Sequence, residues 1–279
     1  MLTPKQIELA YQGMQLEVPK LWNLSRKHFR VETLDGRFIK LNKIANRLTE
    51  RDLKFYCWKF KAAHVYFSVL DWLFPERVGK KRKAGRCIPL NGNYVVDVDS
   101  YMFYRYRRVT PFRHEHNPSK EWQICESCLE MAKRVTLHVC EAIEKYYCDL
   151  AIVFSGCRGF HVHVLDFNYR DSVSFRPEDP LWCHHASRYR FNRLLMRQTN
   201  VFDRHHFIVS VDPLRVVSVP GTLNAENGLA CSYLGDRKEF EKLTVNQILE
   251  RSKSFAKFHR TRYSYPETLK RCGHGAVMS

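Results

Sequence analysis

The chain has 279 residues, 44% hydrophobic and 27% charged, enough apolar material for a packed core, which excludes wholesale disorder. Lys and Arg number 46 against 29 Asp and Glu, a formal net charge of +17; the excess fits a polyanionic partner, and nucleic acid is favoured over an acidic membrane surface because no amphipathic membrane helix is evident. No apolar run is long enough to span a bilayer and the first residues lack the apolar stretch of a secretory signal, so the ten cysteines are expected to be reduced or metal-bound in a cytoplasmic or nuclear protein that is not secreted.

Thr3, Pro4 and Gln6 read as N-cap, first helical position and capping-box partner. The helix they start is followed by a hairpin, "RKHFRVETLDGRFIKLN", turning at Asp35-Gly36. More helix leads to the apolar stretch "HVYFSVLDWLF". The basic run "GKKRKAGR" (79–86) reads as a loop, solvated or serving as a localisation signal. "NYVVDVDSYMF" is a buried-looking strand, and a polar, histidine-containing segment follows (105–120). A helix comes next, its apolar positions Cys128, Ala132, Val135, Val139, Ile143 and Tyr146 at helical spacing. "LAIVFSG" and "FSGCRGFHVHVLDF" form strand, tight turn and strand. Residues 180–199 read as helix, "HHFIVSVDPLRVVSVPGTLN" contains a strand leading to a turn at Pro220-Gly221, and "LTVNQILERSKSFAKF" reads as a last helix before a tail beyond Arg262. With no internal repeat and no linker, the simplest organisation is one α/β body across 1–279.

Asp97 and Asp99, two apart on a strand, share a face. Side by side they repel unless a cation neutralises them, and hard carboxylate oxygens select Mg²⁺ or Mn²⁺; the alternative is an exposed strand end whose acids face water. Asp212, ending the run "FIVSVD" with Arg215 just after it, is a candidate third carboxylate for a two-metal cage. Asp166 competes, but parity puts it on the other strand face from His161. In the hairpin turn, Gly156 and Gly159 permit a sharp bend or a close approach, and Ser155, Arg158 and His161 are suitable phosphate contacts. His163 is read as structural. His114, His116, Cys125 and Cys128 form a separate constellation suited to a structural zinc inserted at about 105–130; a CxxC redox pair is the competing reading.

Taken in order, "HVYFS", "YVVDVDS", "WQICESCLEMAK", "FSGCRGFHVHV" and "VSVDPLRVVSVPGTLN" resemble the motifs of the catalytic small subunit of archaeal and eukaryotic replicative DNA primases, the archaeal branch more closely. The resemblance implies a mixed-sheet primase fold with surrounding helices and a small zinc knob. It implies that Asp97, Asp99 and Asp212 bind two catalytic ions, Mg²⁺ or Mn²⁺, that Ser155, Arg158 and His161 hold the triphosphate of an incoming NTP or dNTP, and that Arg215 supports the site. It also implies zinc on His114, His116, Cys125 and Cys128, a single-stranded DNA template, a primer–template duplex and a large-subunit partner. The chain departs from the pattern at Ser218, where the family commonly has a basic residue, and at Asn224, where it has a histidine, and it is shorter than usual. The alternative readings are a stand-alone primase-polymerase of the same superfamily, used in gap filling or lesion bypass, and a non-catalytic zinc-stabilised nucleic-acid-binding protein with a degenerate site.

Overall fold

A computed structural model describes residues 2–17, 22–78, 88–99, 126–168, 180–199 and 211–253. The N-terminal helix α1 (Pro4–Gly13) starts as its sequence dictates: the Gln6 amide donates to Thr3 Oγ1 at 3.3 Å and the Thr3 amide to Gln6 Oε1 at 2.8 Å. The hairpin forms from β1 (Phe29–Glu32) and β2 (Phe38–Lys40), and α2 (Glu50–Lys59) begins with a second capping box, Thr49 with Asp52. "HVYFSVLDWLF" is two strands, β3 (His64–Ser68) and β4 (Leu70–Trp72), broken at Val69; β4 pairs with β5 (Pro89–Gly92).

The remaining strands are β6 (Tyr94–Asp99), β7 (Leu150–Phe154), β8 (Gly159–Val164), β9 (Val216–Ser218), β10 (Leu223–Asn224), β11 (Leu229–Ala230) and β12 (Ser232–Gly235). Two four-stranded antiparallel sheets organise the fold, in the orders β2-β1-β3-β9 and β12-β7-β8-β6. The helices α3 (Glu126–Ile143), α4 (Pro180–Thr199), α5 (Arg237–Lys242) and α6 (Val245–Ser252) complete the described elements.

Strand periodicity explains the layering. In the second sheet, Val96, Val98, Ile152, Phe154, Phe160 and Val162 share a core with Leu129, Val139 and Ile143 of α3, Leu195 of α4 and Ile248 of α6. Val95 and Val153 point the other way, into a core with Phe29, Val31, Val65 and Phe67 of the first sheet and Ile7 and Leu53 of α1 and α2. The second sheet is covered on both faces, and β7 and β8 are buried along their whole length. This is why "LAIVF" reads as an unbroken apolar run instead of an alternating one.

One boundary differs from the sequence reading. The helix through Cys128 ends at Ile143, so Tyr146 is off its buried stripe. Tyr146 is 48% exposed, its hydroxyl accepts from Gln198 Nε2 at 2.6 Å, and its ring packs on Phe191. The strand carrying Asp97 is described as far as Asp99, and the expected continuation to Phe103 lies outside the described residues, as do the basic run at 79–86 (described again only from residue 88) and the tail.

Candidate active site

The register of β6 on β8 fixes the site. Asp97 stands opposite His161 and Asp99 opposite Gly159, so the acidic pair meets the glycine hairpin across one antiparallel ladder. His161 Nε2 lies 3.5 Å from Asp97 Oδ1. Arg215, just before β9, ion-pairs with Asp97 through Nη2, both side chains about one-sixth exposed (15% and 16%). A charge in the first sheet is thereby locked onto a carboxylate in the second. Arg215 is also tied to the third predicted acid: its amide donates to the Asp212 carbonyl at 3.2 Å, and Asp212 Oδ1 accepts from the Leu214 amide at 2.8 Å.

The hairpin turn is built by its own small residues. The Ser155 amide donates to the Gly159 carbonyl at 2.9 Å, and Ser155 Oγ accepts from the Cys157 and Gly159 amides at 3.4 and 3.3 Å. That occupies the oxygen and leaves its hydrogen available to an outside acceptor. Gly156 has φ +78°, and a Cβ there would meet the Cys231 amide at 2.9 Å; its carbonyl accepts from Asn227 Nδ2 at 2.9 Å. A Cβ on Gly159 would meet Asp99 Cα at 2.8 Å and Oδ1 at 2.9 Å, so only glycine lets the hairpin backbone lie against the carboxylate. Burial pushes the Cys157 thiol up to about 12, with Arg158 the largest opposing influence; the turn offers a neutral thiol and no thiolate.

His161 is buried, 6% exposed. Burial holds its imidazole below the ordinary histidine range; Asp97 opposes that and Arg215 reinforces it, so the ring is neutral at neutral pH. His163 behaves as expected of a structural residue. It stacks on Phe67 at 6.1 Å and 3°, with Trp22 at 4.9 Å, and burial holds it well below the usual range. Asp166 is spent elsewhere, its Oδ2 accepting from the Cys148 amide at 2.9 Å.

Ser218 ends β9 opposite Tyr66 of β3. Asn224 is buried, its Oδ1 accepting from the Glu226 amide at 3.0 Å, so it shapes a turn. The carboxylates Glu32 and Glu226 both act on Tyr66, whose hydroxyl donates to Glu32 Oε2 at 3.0 Å, and Glu226 also acts on Cys157. Tyr66 and Glu226 thus stand beside the hairpin, which the sequence reading missed.

A buried scaffold, also missed, lies beneath the pair. Lys27 is 1% exposed; its Nζ lies 2.9 Å from Asp71 Oδ1 and donates to the Val69 carbonyl at 3.1 Å. The Val69 amide donates to the Arg215 carbonyl at 3.0 Å, and the Val69 carbonyl also accepts from the Asn93 amide at 3.1 Å. Arg188 of α4 is buried and donates from Nη2 to the Asn93 carbonyl at 2.6 Å. The Val69 peptide therefore links Arg215 to Asn93, the residue just before β6 and four positions before Asp97.

The acid set has the chemistry for a hard divalent cation: Asp97 and Asp99 share a face of β6, and Asp212 joins Arg215 in one turn. Among the described residues, however, no three His, Cys, Asp or Glu side chains converge closely enough to hold a metal ion. The Arg215 guanidinium supplies positive charge at Asp97. Of the zinc constellation, Cys128 is half-buried in the first turn of α3, while His114, His116 and Cys125 lie outside the described residues. No helix among the described residues is long and apolar enough to cross a membrane.

No protein-family model matches the chain. Curated relatives do. The DNA primase small subunit PriS of Methanocaldococcus jannaschii is 30% identical over 154 residues, covering 50% of this chain and 39% of the relative. That of Archaeoglobus fulgidus is 28% identical, over 58% and 43%. That of Pyrobaculum calidifontis is 25% identical over 90% of this chain and 83% of the relative. The chain thus spans about two-fifths of the length of the first two relatives and most of the third. Among solved structures, the polymerase domain from Mycobacterium tuberculosis ligase D in complex with DNA matches with a TM-score of 0.47 and 10% identity, over 89% of this chain and 86% of that one.

Proposed function

We propose that this chain, similar to archaeal DNA primase small subunits, is a template-directed nucleotidyltransferase that synthesises primers on single-stranded DNA. The observation that carries the reading is the register pairing Asp97 with His161 and Asp99 with Gly159. It sets two carboxylates against a turn whose Ser155 and Arg158 suit a triphosphate, in a chain with a net charge of +17. A primer 3′-hydroxyl, or that of a first bound nucleotide, attacks the α-phosphorus of an incoming NTP or dNTP; the new P–O bond forms as the bond to pyrophosphate breaks.

Asp97 and Asp99, on one face of β6, are the residues that would hold Mg²⁺ or Mn²⁺, with Asp212 the proposed third ligand once its turn closes on them; when bound the ion supplies positive charge to the transferring and leaving oxygens. The protein groups do the rest. Ser155 keeps a hydroxyl hydrogen for a phosphate oxygen, and Arg158 adds a charge-assisted contact. Neutral His161 backs Asp97 from the neighbouring strand without adding a competing charge. Arg215 neutralises Asp97 and orients it from the first sheet. The zinc site at His114, His116, Cys125 and Cys128 serves stability, and a large subunit completes the assembly. The test is synthesis of short products on an unprimed single strand from NTPs or dNTPs with Mg²⁺ or Mn²⁺. Extension of a supplied primer without initiation would mark a gap-filling polymerase, and neither activity would mark a binding protein.

A further inference from the structure

Helix α2 carries a feature the chemistry above does not use. It buries Leu53 and Cys57 but turns large rings outward: Phe55 is 48% and Trp58 38% exposed. The rings are linked, Phe55 to Tyr56 at 5.4 Å, Phe55 to Trp58 at 6.1 Å, and Tyr56 stacked on Phe60 at 5.9 Å. Positive charge surrounds them. Lys59 Nζ lies 5.7 Å from the Phe55 centroid and 5.9 Å from that of Phe60. Arg51 is one turn before Phe55, Lys54 one turn before Trp58, and Lys61 just past the helix; Arg51, Lys59 and Lys61 are exposed. The helix's acids, Glu50 and Asp52, are in its first turn, and Asp52 is folded back on Thr49.

Part-exposed aromatic rings clustered on one helix and rimmed by charge mark an interaction surface. Protein interfaces favour aromatic rings and arginine but are depleted in lysine, so Lys54, Lys59 and Lys61 weigh against a protein partner. A duplex is a poor fit too, since its bases are stacked on one another and offer side chains no open ring faces. A single strand fits both features: its bases present ring faces, and its phosphates match the lysines and arginine.

We propose that the outer face of α2 is a stacking surface for single-stranded nucleic acid, with bases on Phe55 and Trp58 and phosphates on Arg51, Lys54, Lys59 and Lys61. The inference rests on the reading of the chain as a primer-synthesising enzyme, whose template is a single strand, and gives that template a place outside the catalytic residues.

The test is equilibrium binding of a labelled oligothymidylate of about 16 nucleotides to the full chain and to Phe55→Ala/Trp58→Ala. Affinity should fall about tenfold or more for each ring lost, with the salt slope unchanged because no phosphate contact is removed. Lys54→Gln/Lys59→Gln should instead lower the salt slope by about 1 to 2. Photo-crosslinking a 5-iodouracil oligonucleotide to the unaltered chain should label residues 51–61, and this decides the matter if the double variant does not fold. Affinity of the ring variant within about twofold of the parent, no binding by the parent, or crosslinks only elsewhere would overturn the proposal. A parent that makes no primers while the ring variant loses affinity sinks the enzymatic reading and leaves the surface standing. A parent that makes primers while the ring variant binds normally does the reverse.

Discussion

Lys27→Met removes the ammonium beneath Asp97 and Arg215 while keeping most of the stem. Lys27 is almost wholly buried (side chain 2% exposed), and its partner Asp71, 2.9 Å away, is 24% exposed. Stranding one member of a buried pair costs about 3–5 kcal/mol; water reaches Asp71, which places this case near 3 kcal/mol. The Val69 carbonyl is not orphaned, because the Asn93 amide still donates to it. Adding Asp71→Asn removes the stranded charge and should bring the double variant back to within about 1 kcal/mol of the parent. The assay is urea unfolding of parent, both single variants and the double variant. In the same proteins, Lys27→Met should lower kcat with little change in nucleotide KM, because Val69 orients Arg215 and the start of β6 and touches no substrate. An unchanged urea midpoint, or no recovery on adding Asp71→Asn, would refute the buried-pair reasoning; a change in KM alone would refute the positioning role.

Other outcomes follow from the same geometry. Ser218 faces Tyr66 in register where the family commonly has a basic residue; a charge-assisted phosphate contact is worth about 1.5–3 kcal/mol, so Ser218→Arg should lower nucleotide KM more in initiation than in extension, and an unchanged KM in both would place Ser218 away from the triphosphate. Burial holds His28 down at about 4, and His161 and His163 are also held below their usual range. The unfolded chain therefore binds protons the native one refuses: stability is full above about pH 6.5 and falls as the pH drops below it, by about 3 kcal/mol from His28 alone near pH 4. Chemical unfolding at stepped pH checks this, and a flat profile would contradict it. Elemental analysis should find one zinc per chain, diminished together with stability in Cys128→Ser; a zinc-free parent would remove the structural zinc from the account.

Local signals were legible where the physics is local. The Thr3 capping box and the Asp35-Gly36 hairpin need only neighbouring residues, and the spacing of Asp97 and Asp99 fixes a shared face by strand parity alone. Long-range contacts were not legible. Lys27 sits in "SRKHF", at the start of the predicted hairpin segment, where nothing local marks it as buried; its burial depends on Asp71 and on the Val69 carbonyl, far along the chain. Pairing with β6 buries His161 beside Asp97, which its own hairpin does not signal. Tyr146 continues the helical spacing, but the helix has already ended at Ile143. The outward rings of α2 carry no reading of their own in sequence; the packing of Leu53 and Cys57 turns them toward solvent.

The central claim is that Asp97, held between His161 and Arg215, belongs to a primer-synthesising centre. Its most direct test is product formation on an unprimed single-stranded circle with nucleoside triphosphates and Mg²⁺ or Mn²⁺, for the parent and Asp97→Ala side by side. The account predicts short labelled products from the parent and a loss of about a thousandfold or more in the variant, since removing a metal-binding carboxylate costs several kcal/mol of transition-state stabilisation. Single-strand affinity should be retained, because phosphate contacts come from Lys and Arg elsewhere. Turnover by Asp97→Ala within about tenfold of the parent would contradict it.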